Sequence, residues 1–398
     1  MIDVRQLHEP EFRPAHSLFR GALHQAPASD EHWQHTHGTY QPGRALGAFE
    51  GTEMVGTALS FAMRMTVPGG ADVPMAGVTN VGVRADRTRR GALTALMRTQ
   101  LEQLREQGDV AATLRASESP IYERFGYGVA TRGRDIEVDL NRAGWREGAP
   151  TGGDIRLLAP EQIRTTLPEV HRRLPPRRPG AVSRPDHWWD VVVGRPIATG
   201  DHVVAAVHSG PDGDNGFAVW TPERDPRSEG VLIVRDLVAG SASAHAGLWR
   251  LLASIDLVAG VRARLQPLDD ELDLLVADSR GVHTTGIEDE VWLRLLDVPA
   301  ALSARSYGAA DPVVIEVHDA LLPANAGCYR VGPDGAEPVD AEPDLSLDVS
   351  QLAMAYLGDR APSVLAQAGR IAVSDPTAAA RADALLRTGE PPWCGTYF

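Results

Sequence analysis

Apolar residues alternate over 79–83, with Val81 and Val83 two positions apart, which predicts a short strand. From Ala92 the period changes. Ala92, Leu93, Leu96, Met97, Leu101 and Leu104 recur at three- and four-residue steps among Arg, Gln and Glu, which predicts an amphipathic helix closed by Gly108. A second strand is expected over 110–114, leading into the run SESPIYERFGYG. Upstream, alternation over 2–7 predicts a first strand and residues 11–23 a helix. Residues 45–49 and 55–67 predict an antiparallel pair about Gly51-Thr52. Pro68-Gly69-Gly70 turns the chain into a strand over 73–83, and alternation returns over 132–140.

A similar order follows a polar Gly/Pro linker at 143–153. It comprises a strand at 154–158, a helix from Pro160-Glu161, strands near 202–208, 215–221 and 230–239, and a helix over 242–258. The turn before that last helix, LVAGSASAHAG, has no Gly/Arg loop, and identity between the halves is too low to establish a repeat by itself. Beyond Glu290 the pattern predicts strands at 313–317, 328–331 and 345–349 and helices at 350–356 and 377–386, an α+β arrangement. The expected class is therefore α/β (α+β), in three domains spanning 1–145, 146–288 and 289–398.

Composition narrows the function. The chain has 398 residues, 43% of them hydrophobic, and no stretch approaches the roughly 20 apolar residues of a membrane span. The first residues carry acidic groups and no apolar run, so no secretory signal is expected. A formal charge of −14 favours cationic partners over nucleic acid, and every basic residue is arginine. Only Cys328 and Cys394 occur, without metal-type spacing, and no H-E-x-x-H cluster is present. Unpaired thiols, a cytoplasmic location and no metal site are the expectation.

The turn at 84–91 carries the first candidate chemistry. A glycine lets the backbone approach a ligand closely, and the first turn of the following helix leaves N–H groups unpaired at the positive end of its dipole. Arg89 and Arg90 add two charges. Together these make a site for a pyrophosphate; an ordinary strand-turn-helix with a solvated basic turn has the same local pattern.

This loop and the segment after it resemble the GNAT superfamily of acyl-CoA-dependent N-acetyltransferases, and more narrowly the Eis (enhanced intracellular survival) family. The residues concerned are Val81-Gly82-Val83, Asp86-Arg87-Thr88-Arg89-Arg90-Gly91-Ala92-Leu93, Ala116-Ser117-Glu118 and Ile121-Tyr122-Glu123-Arg124-Phe125-Gly126-Tyr127-Gly128. Thr88 departs from the Gln or Arg usual in the superfamily. The run EVWLRLLDVPAALSARSY is similar to the start of the family's sterol-carrier-protein-like domain. The resemblance implies tandem GNAT-like domains, the second degenerate, followed by that domain, and a homohexamer. It also implies acetyl-CoA as co-substrate, held by Val81, Gly82, Val83, Arg89, Arg90, Gly91, Ala92, Leu93 and Thr94. Ser117 and Glu118 match positions lining the CoA site; Glu118 is equally readable as a carboxylate beside the amine. Trp33 and His37 would wall the acceptor pocket.

Acetyl transfer to an amine requires a proton acceptor for the amine, donors for the developing oxyanion and a proton for the leaving thiolate. A phenol with pKa near 10 is a competent donor at neutral pH. The resemblance assigns that task to Tyr122, though residue type alone equally suits packing beside Phe125 and Tyr127. It assigns the base to the carboxylate of Phe398, at the end of an apolar tail. The expected acceptors are cationic amines, aminoglycoside-like molecules or lysine side chains. A dedicated biosynthetic acetyltransferase and a non-catalytic acyl-CoA-binding protein of the same fold are the competing readings.

Overall fold

The computed structural model describes residues 2–174, 178–223 and 230–398. They form two compact units. The first comprises residues 2–131, 178–183 and 289–398, and the second comprises 132–174, 184–223 and 230–288.

The first unit opens with β1 (Ile2–Gln6), α1 (Glu9–Ala22) and α2 (Asp30–Thr36). The long meander β2 (Ala45–Glu50), β3 (Glu53–Thr66) and β4 (Asp72–Val83) follows, then α3 (Ala92–Glu106) and β5 (Ala111–Leu114). The sheet runs β1-β2-β3-β4-β5, antiparallel until β4 meets β5 in parallel across α3. Both faces of β4 are covered. Val73 and Met75 join one buried cluster, and Ala76 and Val78 another that holds Met97, Leu101 and Leu104 of α3. Each such side chain contributes about 1.5–3 kcal/mol when fully buried, which holds α3 against the strands. The helical spacing read at 92–104 is thus the stripe that meets the sheet.

Residues 289–398 add the end of the strand Val282–Leu295, which pairs with β5 from Trp292↔Leu114 to Leu295↔Ala111. A second sheet follows, built from Val313–His318, Gly327–Gly332, Gly335–Val339, Leu345–Asp348 and Ala372–Val373. The helix Val349–Tyr356, capped by Asp348, is buried along its whole length. The helices Val298–Ala304 and Pro362–Gln367 and the strand Gly335–Val339 have no counterpart in the sequence-based expectation.

In the second unit, strands Asp154–Leu157, Val204–Gly210, Gly213–Glu223, Gly230–Ala239 and Val258–Gln266 pair in succession, except that Val258–Gln266 lies parallel to Gly230–Ala239. One expectation needs correcting. The helix predicted over 242–258 ends at Ala253. Leu257 has φ +62° and is 77% exposed, and Val258 instead pairs with Gly230. Tertiary pairing overrides a local periodicity that has no surface left to pack against.

Candidate active site

Strand β4 loses one neighbour part-way. It pairs with β5 only from Met75↔Ala111 to Gly77↔Thr113, while its antiparallel pairing with β3 continues to Val83↔Gly56. Beyond Gly77, no strand among the described residues pairs with that edge of β4. The register with β3 also slips there, because Thr57 faces Gly82 while Leu59 faces Thr79. The extra residue is a bulge, and Asn80 takes it up at φ +50°, a region asparagine tolerates better than most residues. The edge of β4 that β5 leaves beyond Gly77 is suited to receive a carbonyl or amide.

The loop after β4 is built from two kinds of arginine. Arg84 is tied to Asp86 at 2.9 Å and to Glu53, and Arg87 to Asp86 at 2.6 Å and Glu50 at 3.1 Å, so these two set the loop's course. Arg89 and Arg90 are exposed and have no ion pair among the described residues. Arg89 sits at φ +61° and Gly91 at φ +88°. Gly91 is the N-cap of α3 and offers no side chain, and an added Cβ there would meet nothing within 4 Å. The first backbone bond accepted by Gly91 comes from Ala95, which leaves the N–H groups of Ala92, Leu93 and Thr94 pointing out of the helix. Thr88 spends its hydroxyl on the Ala85 carbonyl at 3.2 Å.

Tyr122 follows β5 across two short helical turns, Ser119–Ile121 and Glu123–Phe125. Its ring meets Tyr127 edge-on at 6.0 Å. The two tyrosines differ: Tyr127 is completely buried, whereas Tyr122 is half-buried, with a hydroxyl that has no protein partner among the described residues. Burial and then the negative charge of Glu118 raise the Tyr122 pKa, so the phenol keeps its proton. Ser117 and Glu118 are exposed beside it.

The chain end returns to this region. Phe398 is half-buried, and its ring edge would stand 3.2 Å from a Cβ placed on Gly77. Gly77 is also the last residue of β4 paired with β5. Trp33, by contrast, stacks in a wall with His16, His37 and Tyr40 at centroid distances of 5.7, 6.3 and 5.6 Å. His37 is exposed, its Nδ1 2.8 Å from the Gln34 carbonyl. The wall reaches the bulge through Asn80, whose amide donates to the Tyr40 hydroxyl at 3.1 Å, and through Tyr40 to His16 at 3.4 Å.

His16, Asn80, Arg115 and Glu290 escaped the sequence reading. An asparagine inside an alternating valine run and a glutamate at the head of the apolar run 290–296 were the available signals.

With this geometry in hand, the comparisons with known proteins are direct. Residues 3–130 and 180–295 each match the family described as an acetyltransferase (GNAT) domain, and 298–395 match the sterol carrier protein domain. Fold and site thus define an N-acetyltransferase of the GNAT class, with two such domains and a sterol-carrier-like third. An uncharacterized N-acetyltransferase of Streptomyces avermitilis is 38% identical over 100% of this chain and 99% of its own. N-acetyltransferase Eis of Mycobacterium tuberculosis is 34% identical over 87% of this chain and 86% of its own. The crystal structure of Eis1 from Mycobacterium abscessus, at 38% identity, superposes with a TM-score of 0.89 over all of both chains. The chain belongs to the Eis family of N-acetyltransferases, and GNAT membership implies use of an acyl-CoA. No helix among the described residues is long and apolar enough to cross a membrane.

Proposed function

We propose that the protein transfers acetyl from acetyl-CoA to primary amines of cationic acceptors, aminoglycoside-like polyamines first and lysine side chains second. The observation that carries this reading is the placement of Phe398 at Gly77, where β4 and β5 part.

The pyrophosphate is assigned to the N–H groups of Ala92, Leu93 and Thr94, with Gly91 keeping the cradle open and Arg89 and Arg90 supplying charge. Backbone N–H groups of 81–83 stabilise the thioester oxygen as it becomes an oxyanion. The Phe398 carboxylate, anionic at all working pH values, anchors the ammonium and takes its proton through water. The neutral amine attacks the thioester carbon, the tetrahedral intermediate expels the CoA thiolate, Tyr122 gives the thiolate its proton, and the proton left on the acylated nitrogen passes to the Tyr122 phenolate, which restores it. Trp33 and His37, with Tyr40 and His16, form the acceptor wall, on which aromatic faces favour a cation. Ser117 and Glu118 flank the CoA.

The same reading places catalysis in residues 1–145, a second GNAT-like unit in 146–288 and the sterol-carrier-like domain in 289–398. It also includes a cytoplasmic homohexamer without a metal cofactor, which sedimentation velocity and metal analysis check.

A thiol-release assay with acetyl-CoA and a panel of amines tests the function. Polyamines are expected to release CoA, whereas deletion of Tyr397-Phe398 or a C-terminal tag is expected to abolish turnover. A panel with no release, or a tail-deleted enzyme at full rate, removes this account.

A further inference from the structure

Glu290 is a heavily engaged carboxylate of the first unit, and the acetyl-transfer scheme makes no use of it. Its side chain is fully buried. A buried carboxylate is costly unless donors surround it, and Glu290 has four. They are Arg115 Nη2 at 3.1 Å, the Thr131 hydroxyl at 2.9 Å, and the backbone N–H groups of Cys394 at 3.0 Å and Gly395 at 2.8 Å.

Two of those donors are backbone amides of the tail. Arg115 continues the grip, donating to the Thr396 carbonyl through Nη2 at 2.9 Å and Nε at 3.3 Å, and standing 5.2 Å from the Tyr397 ring centre. Gly395 bends the tail at φ +64°, and any side chain there would fall 2.4 Å from the Trp393 ring. One carboxylate and one guanidinium therefore both grip residues 394–397. Arg115 directly follows β5, on the segment that leads to Tyr122.

We propose that Glu290 and Arg115 are positioning residues that fix the last residues of the chain beside the splay of β4 and β5. The proposal rests on the reading of the tail as part of the active site. Neither residue is asked to touch substrate. Their task is to hold the tail in one conformation, since a carboxylate displaced by an ångström loses much of its effect.

The test uses full-length Glu290→Gln, which keeps shape and removes charge, and Arg115→Met, which keeps much of the side chain's length at a position 12% exposed. Each is expected to lower kcat by about 10- to 100-fold, a partial loss of the roughly 100- to 10,000-fold that general base catalysis contributes, with KM for acetyl-CoA within about twofold. Each should also expose the C-terminal residues to carboxypeptidase while the thermal melt stays cooperative. Deleting Tyr397-Phe398 in either variant should bring turnover to the level of the deletion alone and no lower, as expected when two changes disable one device.

If tail deletion abolishes turnover but both substitutions leave kcat and carboxypeptidase resistance unchanged, the positioning role is overturned. Full activity after tail deletion overturns the underlying reading instead, whatever the substitutions do. If Glu290→Gln fails to fold, Arg115→Met alone decides between these outcomes.

Discussion

The two GNAT-like units share the turn from parallel strand to helix, and they finish it in opposite ways. In the first, residues 84–91 form a basic loop, Gly91 caps α3 without a side chain, and the space beside it is empty. In the second, only Gly240 and Ser241 separate the strand Gly230–Ala239 from the helix Ala242–Ala253. The Ser241 hydroxyl accepts from the Ala244 N–H at 3.1 Å, so the helix satisfies one of its own orphan donors. A Cβ on Gly240 would lie 2.5 Å from Leu174, so that cradle is filled. Acidic groups also stand near this helix start. His245 in its first turn lies 3.1 Å from Asp270 and 3.5 Å from Glu271. Burial lowers the His245 pKa, but the bond and charge of Asp270 with the charge of Glu271 outweigh it and raise the pKa overall. One architecture thus yields an anion site or a closed structural joint, depending on which groups the first helical turn meets.

The contrast can be broken first at the two glycines. Gly91→Asp is expected to raise KM for acetyl-CoA about 30-fold, the factor that about 2 kcal/mol of repulsion produces. Gly91→Asn, which also tolerates positive φ, should raise it about threefold. Gly240→Asp should instead lower the melting temperature and leave KM alone. Equal effects on KM at both glycines would remove the distinction between the units.

Tyr122→Phe should leave acetyl-CoA binding and the melt intact and cut kcat at least about tenfold. A donor must be protonated, and a raised pKa keeps it so to higher pH. In the unmodified enzyme the loss of kcat attributable to this group should therefore have its midpoint above the ordinary phenol value near 10, and Tyr122→Phe should show no such limb. An alkaline limb beginning below pH 9 in a kcat profile contradicts the assignment.

Replacing both Arg89 and Arg90 by Ala should raise KM for acetyl-CoA about fivefold at low salt and less at high salt, because exposed charges are screened. The melt should not move, since these arginines make no ion pair among the described residues. The smallest effect is expected in the second unit. Ser241→Ala should cost about 1 kcal/mol of stability, read in a denaturant melt, with KM unchanged.

Much of the fold was legible because its signals are local. The stripe Leu96, Met97, Leu101 and Leu104 is the buried face of α3, and Gly108, expected to close that helix, lies just past its end at φ +87°. The third region was less legible. Glu290 reads as the head of a new domain, yet it belongs to the strand Val282–Leu295, which reaches β5 at residues 111–114. An apolar run predicts that a strand is buried, but it does not name the strand beside it. The acceptor wall was half visible. The aromatic and histidine-rich stretch over 32–40 pointed to Trp33 and His37, but His16 from α1 and Asn80 from the bulge enter only when α1 packs on β3 and β4.

By itself, then, the sequence settled most of the elements of the first 140 residues and the buried stripe of α3. These follow from periodicity and φ preference over a few residues. Only the tertiary structure decided where β4 and β5 part, which face of Asn80 meets Tyr40, and how the tail is held. Those features depend on pairs such as Arg115 and Thr396, 281 positions apart, and contacts at that separation are set by the packing of the whole unit rather than by any local pattern.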